Sequence, residues 1–196
     1  MSKSRFSPKE ILIPTVVLLV ICVVASALLA GTNMLTKDKI AAINAQTKAD
    51  AMQTVMPDAV SFGDGVTATD FLEYSPALDA DGNIIGYAFT SVVTGYGGEV
   101  QVMIGVNTDG SVNKVTIVAA DDETPGLGQN VKKDSFLDRF TGKTGELTVV
   151  KNAASADSEI QAVTSATITS KAVTKAVNAS TEYFNTNLAE GGNANG

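Results

Sequence analysis

The sequence of 196 residues contains no histidine, no tryptophan and only one cysteine. Without histidine, it cannot form the zinc sites of hydrolases, a histidine-ligated haem or a Ser-His-Asp triad. The one cysteine, Cys22, lies inside a long apolar run, so the chain forms no internal disulfide and no cysteine-ligated cluster. These routes to catalysis are therefore excluded, and any redox chemistry has to come from an organic cofactor.

Positive charge is also scarce, with 14 Lys and Arg against 21 Asp and Glu and a formal net charge of -7. The first ten residues hold Lys3, Arg5, Lys9 and Glu10, a local sum of +2, so the remainder of the chain carries -9. Nucleic-acid binding depends on Lys and Arg that neutralise phosphates. The acidic body of the chain therefore argues against a nucleic-acid partner.

Residues 11–30 form an almost uninterrupted apolar run, long enough to cross a bilayer core as one helix. We expect Pro14 in the first turn of that helix, where a missing N–H does no harm. A cleaved signal peptide is the alternative, because Ala25-Ser26-Ala27 resembles a cleavage site. The run continues past that site, which favours an uncleaved anchor, and Thr32 follows Gly31 where a lipoprotein needs cysteine.

The orientation of this anchor depends on the basic residues near its ends. Three precede the apolar run and three follow it, so the bias is almost level (Lys3, Arg5 and Lys9; Lys37, Lys39 and Lys48). We expect the short N-terminus in the cytoplasm and the domain on the outer face of the cell membrane.

Beyond the anchor, the pattern predicts an α+β fold, an antiparallel sheet with packed helices. Residues 36–56 have helical spacing, and Pro57 stops them. Further elements are predicted as strands at 84–93, 100–106, 112–119 and 147–150, and as helices at 134–140 and 168–188. The predicted organisation is therefore a cytoplasmic N-terminus at 1–10, a transmembrane helix at 11–31, a helical stalk at 32–57, the domain at 58–188 and a flexible tail at 189–196.

Two glycine-bearing loops follow strands. Thr94-Gly95-Tyr96-Gly97-Gly98 is explained as a flexible hairpin loop, or as a loop whose backbone comes close to a ligand that Tyr96 contacts. Glu123-Thr124-Pro125-Gly126-Leu127-Gly128 contains Pro-Gly at the centre of a type II turn, so a structural loop again suffices. Bare backbone at its two glycines would equally form a wall for a planar ligand. No Gly-Lys-Ser/Thr follows, so nucleotide hydrolysis is not supported.

A third segment is rich in hydroxyl groups and opens the last helix. Five of the seven positions from 164 to 170 carry a hydroxyl (Thr164, Ser165, Thr167, Thr169 and Ser170). An ordinary helix N-cap explains one of them. The surplus favours an anion site, because the free N–H groups of a helix start attract phosphate.

Together these segments resemble the FMN-binding domain family, and within it the G subunits of Rnf electron-transport complexes. The similarity rests on Gly95-Tyr96-Gly97-Gly98, the strand at 100–105, the run from Glu123 to Gly128, and Thr164-Ser165-Ala166-Thr167. The single N-terminal span and the chain length match as well.

The resemblance implies that FMN is attached by a phosphoester bond to Thr167, the last residue of a Ser/Thr-Gly-Ala-Thr motif, by a dedicated flavin transferase. Two residues depart from the family pattern. Ser165 replaces the usual glycine, and Gln161 replaces an acidic residue that commonly precedes the motif, with Glu159 nearby but out of register. We expect the turn to tolerate serine, and the lost carboxylate to weaken recognition by the transferase.

The cofactor-binding set implied by the resemblance comes from all three segments (Thr164, Ser165, Ala166, Thr167 and Thr169; Gly95, Tyr96, Gly97 and Gly98; Glu123, Thr124, Pro125, Gly126, Leu127 and Gly128). No catalytic acid or base and no metal ligand is expected, because the flavin itself accepts and passes electrons. The implied function is a membrane-anchored electron carrier in an ion-translocating ferredoxin:NAD+ oxidoreductase, with the other Rnf subunits as partners. Alternatives are a non-redox binding or sensor domain, a stand-alone flavin reductase, or a component of the related Na+-pumping quinone reductase.

Overall fold

The computed structural model describes residues 8–189, and the side chains from residue 12 onward. Contacts divide the chain between Gln46 and Thr47 into two compact units. The tail predicted for residues 189–196 lies almost entirely outside the described residues.

Helix α1 spans Pro8–Val55 and supplies all the described structure of the first unit. Its apolar side chains from Leu12 to Ile43 are exposed, and among residues 8–189 it is the one helix long and apolar enough to cross a membrane, which agrees with single-pass anchoring. Pro14 lies inside the helix, with described helical residues from Pro8 onward before it, so the expectation that Pro14 occupies the first turn was wrong.

The second unit is built on an antiparallel sheet of six strands in the order β1-β3-β4-β5-β6, with β2 also paired to β3. The predicted α+β class is confirmed. The strands are β1 (Ser61–Phe62), β2 (Val66–Thr69), β3 (Leu72–Leu78), β4 (Ile84–Thr94), β5 (Glu99–Asn107) and β6 (Val112–Ala119).

The predicted strands at 84–93, 100–106 and 112–119 correspond to β4, β5 and β6, whereas β1, β2 and β3 were missed. β3 contains Pro76, which normally argues against a central strand. Here Pro76 lies between the part of β3 that pairs with β1 and the part that pairs with β2, so its missing N–H breaks no ladder bond there. Its carbonyl accepts the N–H of Gly63 at 2.9 Å.

The remaining elements follow β6. They are a 3-10 helix (Gly128–Lys132), α2 (Asp134–Leu137), a 3-10 turn (Asp138–Phe140), the parallel pair β7 (Thr148–Val150) and β8 (Glu159–Gln161), and α3 (Thr167–Tyr183), which ends in a π-helical turn (Phe184–Leu188).

One face of the sheet packs against α3. Helical spacing brings Val173, Ala176 and Val177 onto the sheet, where each is buried. Towards the end of α3, Tyr183 lies 6.3 Å from Phe89 of β4, ring centroid to ring centroid. This continuous core holds the first residue of α3 in a fixed position relative to the sheet.

The other face receives the last turns of α1, from Thr47 onward. Val55 and Met56 are buried against small residues of the sheet, and a Cβ added to Gly105 would overlap the carbonyl oxygen of Val55. The Asn113 side chain donates to that same carbonyl at 2.9 Å, satisfying one of the acceptors left free at a helix end. The fold therefore groups Thr47–Val55 with the sheet, ahead of the domain start predicted at residue 58.

We expect Asn113→Ala to lower the free energy of unfolding by about 1–2 kcal/mol, because the buried Val55 carbonyl loses its donor. Thermal unfolding of the full chain in detergent, followed by circular dichroism, measures this. Asn152 is exposed in a loop, so Asn152→Ala is the matched control and should stay within about 0.5 kcal/mol of the parent. Equal effects of the two substitutions would contradict the assigned role of Asn113.

Candidate functional site

Three segments that are distant in sequence line one cleft of about 440 Å³. They are the loop between β4 and β5, the loop after β6 that leads into the 3-10 helix, and the start of α3. The lining residues are Tyr96, Glu123, Thr124, Leu127, Gly128, Ser165, Ala166, Thr167, Ile168 and Thr169. All three motifs singled out in the sequence therefore contribute to a single site.

Glu123 joins these three segments. Its side chain is almost completely buried, with 1% of the residue exposed. One carboxylate oxygen, Oε1, accepts the backbone N–H of Tyr96 at 2.7 Å and that of Gly97 at 3.2 Å. The other, Oε2, accepts the hydroxyl of Thr169 at 3.0 Å. The carboxylate thus ties the β4–β5 loop and the first turn of α3 to the loop that carries it.

Four glycines of the two loops lie against the acidic residues Glu123 and Asp122 (Gly95, Gly97, Gly98 and Gly128). A Cβ added to Gly95 or Gly128 would overlap the Glu123 carboxylate, and one added to Gly97 would overlap the carbonyl oxygen of Asp122. These contacts explain the glycines without a ligand, and the expectation that a ligand approaches their backbone stays a prediction. Neighbouring segments make the hydrogen bonds of the Glu123 carboxylate, so their backbones have to come unusually close to it. Glycine allows that approach because it has no Cβ.

Gly98 follows the same rule, because its added Cβ would lie 2.6 Å from the Asp122 side chain. Of the four glycine-loop residues predicted to bind the cofactor, only Tyr96 lines the cleft. Gly95, Gly97 and Gly98 do not line the cleft and lie against Glu123 and Asp122.

The Pro125-Gly126 turn has the predicted geometry. The N–H of Leu127 donates to the carbonyl of Thr124 at 3.1 Å, and Gly126 has a φ of 76°, as the third residue of a type II turn requires. An added Cβ at Gly126 would meet nothing within 4 Å, so only its backbone angle demands glycine. The turn presents Thr124 and Leu127 to the cleft, whereas Pro125 and Gly126 do not line it.

The hydroxyl cluster at the start of α3 separates into distinct roles. Ser170 accepts the N–H of Val163 at 3.0 Å and donates to the carbonyl of Ala166 at 2.9 Å, so it holds the turn together. Thr169 is committed to Glu123. Thr164 is exposed and does not line the cleft. Within this cluster, Ser165 and Thr167 are therefore the two residues whose hydroxyl groups are available in the cleft.

None of these hydroxyls caps the helix. The N-cap position is Ala166, which makes no side-chain capping bond, and Thr167 is the first helical residue. The explanation of the cluster as an ordinary Ser/Thr N-cap was therefore wrong. A helix start without a side-chain cap presents its first backbone N–H groups, and the positive end of its dipole, to an anion.

Ser165 has a φ of 64°, the one positive φ of a non-glycine residue within residues 8–189. This left-handed conformation costs an L-residue roughly 1–2 kcal/mol and costs glycine nothing. The glycine that the resemblance places here therefore matches a backbone requirement, and serine adopts the same turn under strain.

The cleft has apolar walls that are open to solvent. Tyr96 is 72% exposed, Ile168 55% and Leu127 45%, although each is a large apolar or aromatic residue. Ile168 precedes Ala172 by four residues in the helix predicted at 168–188, the spacing of an apolar helix face. The structure places it in the cleft, and sequence reasoning missed it as a site residue.

Gln161 and Glu159 lie outside the cleft. They line a second, polar groove together with Arg139 and Lys143, and the Arg139 guanidinium donates to the Gln161 carbonyl. The backbone N–H and hydroxyl of Ser155 bond to the Glu159 carboxylate and hold the pKa of that group below its usual range. Glu159 therefore does not replace the missing acidic residue at the turn.

Residues 95–182 match the FMN-binding domain, and residues 1–55 match the RnfG N-terminal region. The first match contains every residue that lines the cleft. The class of protein is therefore defined as one with an FMN-binding domain.

The curated relatives narrow this class. The chain is 39% identical over 186 residues to the G subunit of the Na+-translocating ferredoxin:NAD+ oxidoreductase complex of Acetobacterium woodii, covering 86% of this chain and 88% of the relative. It is 35% identical to the G subunit of the proton-translocating ferredoxin:NAD+ oxidoreductase complex of Clostridium ljungdahlii, covering 86% and 89%. The chain belongs to the G-subunit family of ion-translocating oxidoreductase complexes.

Among solved structures, the C subunit of the Na+-translocating NADH-quinone reductase of Parabacteroides distasonis is similar, with a TM-score of 0.48 and 25% identity over 57% of this chain and 61% of that one.

The residues of the cleft suit FMN. The uncapped first turn of α3 offers N–H groups to a phosphate, and the apolar walls offer contact surface to a planar ring. A volume of about 440 Å³ lies within the range of small-ligand sites. Glu123 is the one acidic residue among those that line the cleft. Both of its carboxylate oxygens are hydrogen-bonded to neighbouring segments of the domain.

We expect Ser165→Gly to raise the free energy of unfolding by up to about 1 kcal/mol, because glycine removes the strain of the positive φ. Ser165→Val should lower it by more than that, since a β-branched residue is still less tolerated there. Thermal unfolding of the full chain measures both. The conformational assignment at residue 165 is contradicted if glycine destabilises the protein and valine does not.

Proposed function

We propose that this chain is a membrane-anchored electron-transfer protein that carries FMN as a phosphoester on Thr167. The observation that supports it is the position of Thr167, which lines the cleft as the first residue of a helix whose start has no side-chain cap. A hydroxyl at that position lies beside the backbone N–H groups that favour phosphate. The start of α3 places two uncommitted hydroxyl residues in the cleft, Ser165 and Thr167, and Thr167 is the one that the resemblance assigns.

The proposed attachment agrees with the electrostatics of the helix start. A phosphodiester keeps one negative charge, and at the N-terminus of a helix such a charge is stabilised by about 0.3–1 kcal/mol when exposed. This electrostatic stabilisation is too small to retain the cofactor by itself, whereas a covalent bond prevents its dissociation. That property suits a cofactor outside the cytoplasm, where free FMN is not replenished.

The chain's own residues would hold the ring and not transform it. Tyr96, Leu127 and Ile168 supply apolar surface around the cleft, and Glu123 keeps the Tyr96 loop and α3 together. When bound, FMN supplies the capacity to accept and pass electrons. The chain then needs no catalytic acid or base of its own, which is expected of an electron relay.

The relatives are named as subunits of complexes that couple oxidoreduction to ion translocation, with ferredoxin and NAD+ in two of the names. We propose that this chain works in such a complex, and that other subunits handle ferredoxin and NAD+. Helix α1 is the proposed single-pass anchor, with residues 1–10 in the cytoplasm and the domain on the outer face. Maturation would require a flavin transferase.

Thr167→Ala tests the attachment site. The full chain, co-produced with a flavin transferase, should show the added mass of one FMN residue, and the variant should lose the whole adduct because no oxygen remains at position 167 to form the ester. Thr164→Ala is the matched control: Thr164 is exposed outside the cleft, so this variant should keep the adduct. Intact-mass spectrometry and in-gel fluorescence both measure the outcome.

A full adduct on Thr167→Ala would refute the site. A parent protein that stays colourless in the presence of the transferase would instead refute covalent FMN and favour a non-redox binding domain.

A further inference from the structure

The Glu123 carboxylate has an unusual electrostatic situation. Buried carboxylates in proteins are ordinarily paired with a cation. Here all three hydrogen-bond donors are uncharged, namely the N–H groups of Tyr96 and Gly97 and the hydroxyl of Thr169. None of the three ion pairs found within residues 8–189 involves Glu123. Its charge is therefore not cancelled by a neighbouring side chain.

Oε1 of Glu123 accepts two backbone N–H groups and Oε2 lies within hydrogen-bond distance of the Thr169 hydroxyl, an arrangement that suits an ionised carboxylate. The start of α3 adds a partial positive charge near Oε2, since Thr169 belongs to the first turn of that helix. Backbone N–H groups and a helix end can hold a negative charge in place without cancelling its electric field. Glu123 lines the cleft, so that field acts inside it.

We propose that Glu123 sets the reduction potential of the flavin bound in this cleft, by placing a fixed negative charge beside the ring. This rests on the proposed function. Reduction adds two electrons, taken from a reduced partner that is thereby oxidised, and one proton from solvent, so the ring gains negative charge. A buried carboxylate that lines the same cleft would be poorly screened by water and would disfavour that gain. Glu123 therefore keeps the flavin a stronger reductant.

A purely structural role for Glu123 gives different expectations. If the residue only fixes the position of the Tyr96 loop against α3, then any substitution that breaks the connection should change the potential in the same direction. Thr169→Val breaks the bond to Oε2 and retains the charge, whereas Glu123→Gln keeps an acceptor oxygen for Tyr96 and Gly97 and removes the charge. The two variants therefore separate charge from position.

The experiment measures the midpoint potential of the full chain, matured with its transferase and purified in detergent, by spectroelectrochemical titration. Glu123→Gln should raise the ratio of reduced to oxidised flavin at a fixed potential at least tenfold, a shift of about 30 mV for a two-electron couple. Thr169→Val should leave the potential unchanged or lower it, because the carboxylate keeps its charge and loses a donor. Asp121→Asn is the control, since the Asp121 side chain is 86% exposed and solvent screens its charge.

A rise in Glu123→Gln alone supports the proposal. An unchanged potential in that variant, an equal rise in Thr169→Val, or an equal rise in Asp121→Asn would each overturn it. If Glu123→Gln does not fold, as judged by circular dichroism, Thr169→Val decides, and a raised potential in that variant overturns the proposal. A parent chain without a flavin adduct would refute the proposed function itself, an outcome that intact mass distinguishes from all the others.

Discussion

The cleft depends on one buried carboxylate. Glu123 accepts hydrogen bonds from the loop between β4 and β5 and from the first turn of α3, while its own loop follows β6. Three segments that share no secondary structure are thereby fixed to a common point. A buried carboxylate is costly unless its hydrogen bonds are made, so each segment contributes to stabilising the others. The glycines around it are a consequence of this close approach, because a Cβ at Gly95 or Gly128 would occupy the space of the carboxylate.

The sheet and α3 provide the support for this connection. Residues Val173, Ala176 and Val177 bind the helix to one face of the sheet, and the end of α1 covers the other face. Because the core on both faces is closely packed, the start of α3 and the strand ends that carry the loops cannot shift independently. The cleft is therefore a property of the whole domain, although its walls come from short loops.

Much of this arrangement could be predicted from the sequence. The strands β4, β5 and β6 have clear apolar patterns and glycine-bearing turns, and their limits were close to those observed. β3 was missed, since a proline such as Pro76 normally argues against a central strand. Only its pairing with β1, β2 and β4 shows that this segment is a strand of the sheet. The grouping of the last turns of α1 with the sheet depends on long-range packing against Gly105 and Asn113, which no local pattern reveals.

The candidate site divides in the same way. The three motifs were recognisable by composition, but the partners of their residues were not. Glycine-rich loops indicate close approach without showing which group approaches, and the structure shows that Glu123 and Asp122 lie against these glycines. Ile168 has the spacing of a core residue, and only the orientation of α3 shows that it faces the cleft. Thr167 as the bearer of FMN remains a prediction, supported by its place at the helix start.

The position of Thr167 also limits how its proposed cofactor could travel. As the first residue of a helix that is packed into the core, it offers no flexible arm of protein, and a flavin bonded there would move only as far as one side chain, its ester and the cofactor's own ribityl chain allow. Carriers that shuttle by swinging use long, mobile tethers. Electrons reaching or leaving this chain would therefore have to meet the flavin where the domain holds it, so delivery between distant centres would require the domain to move as a whole.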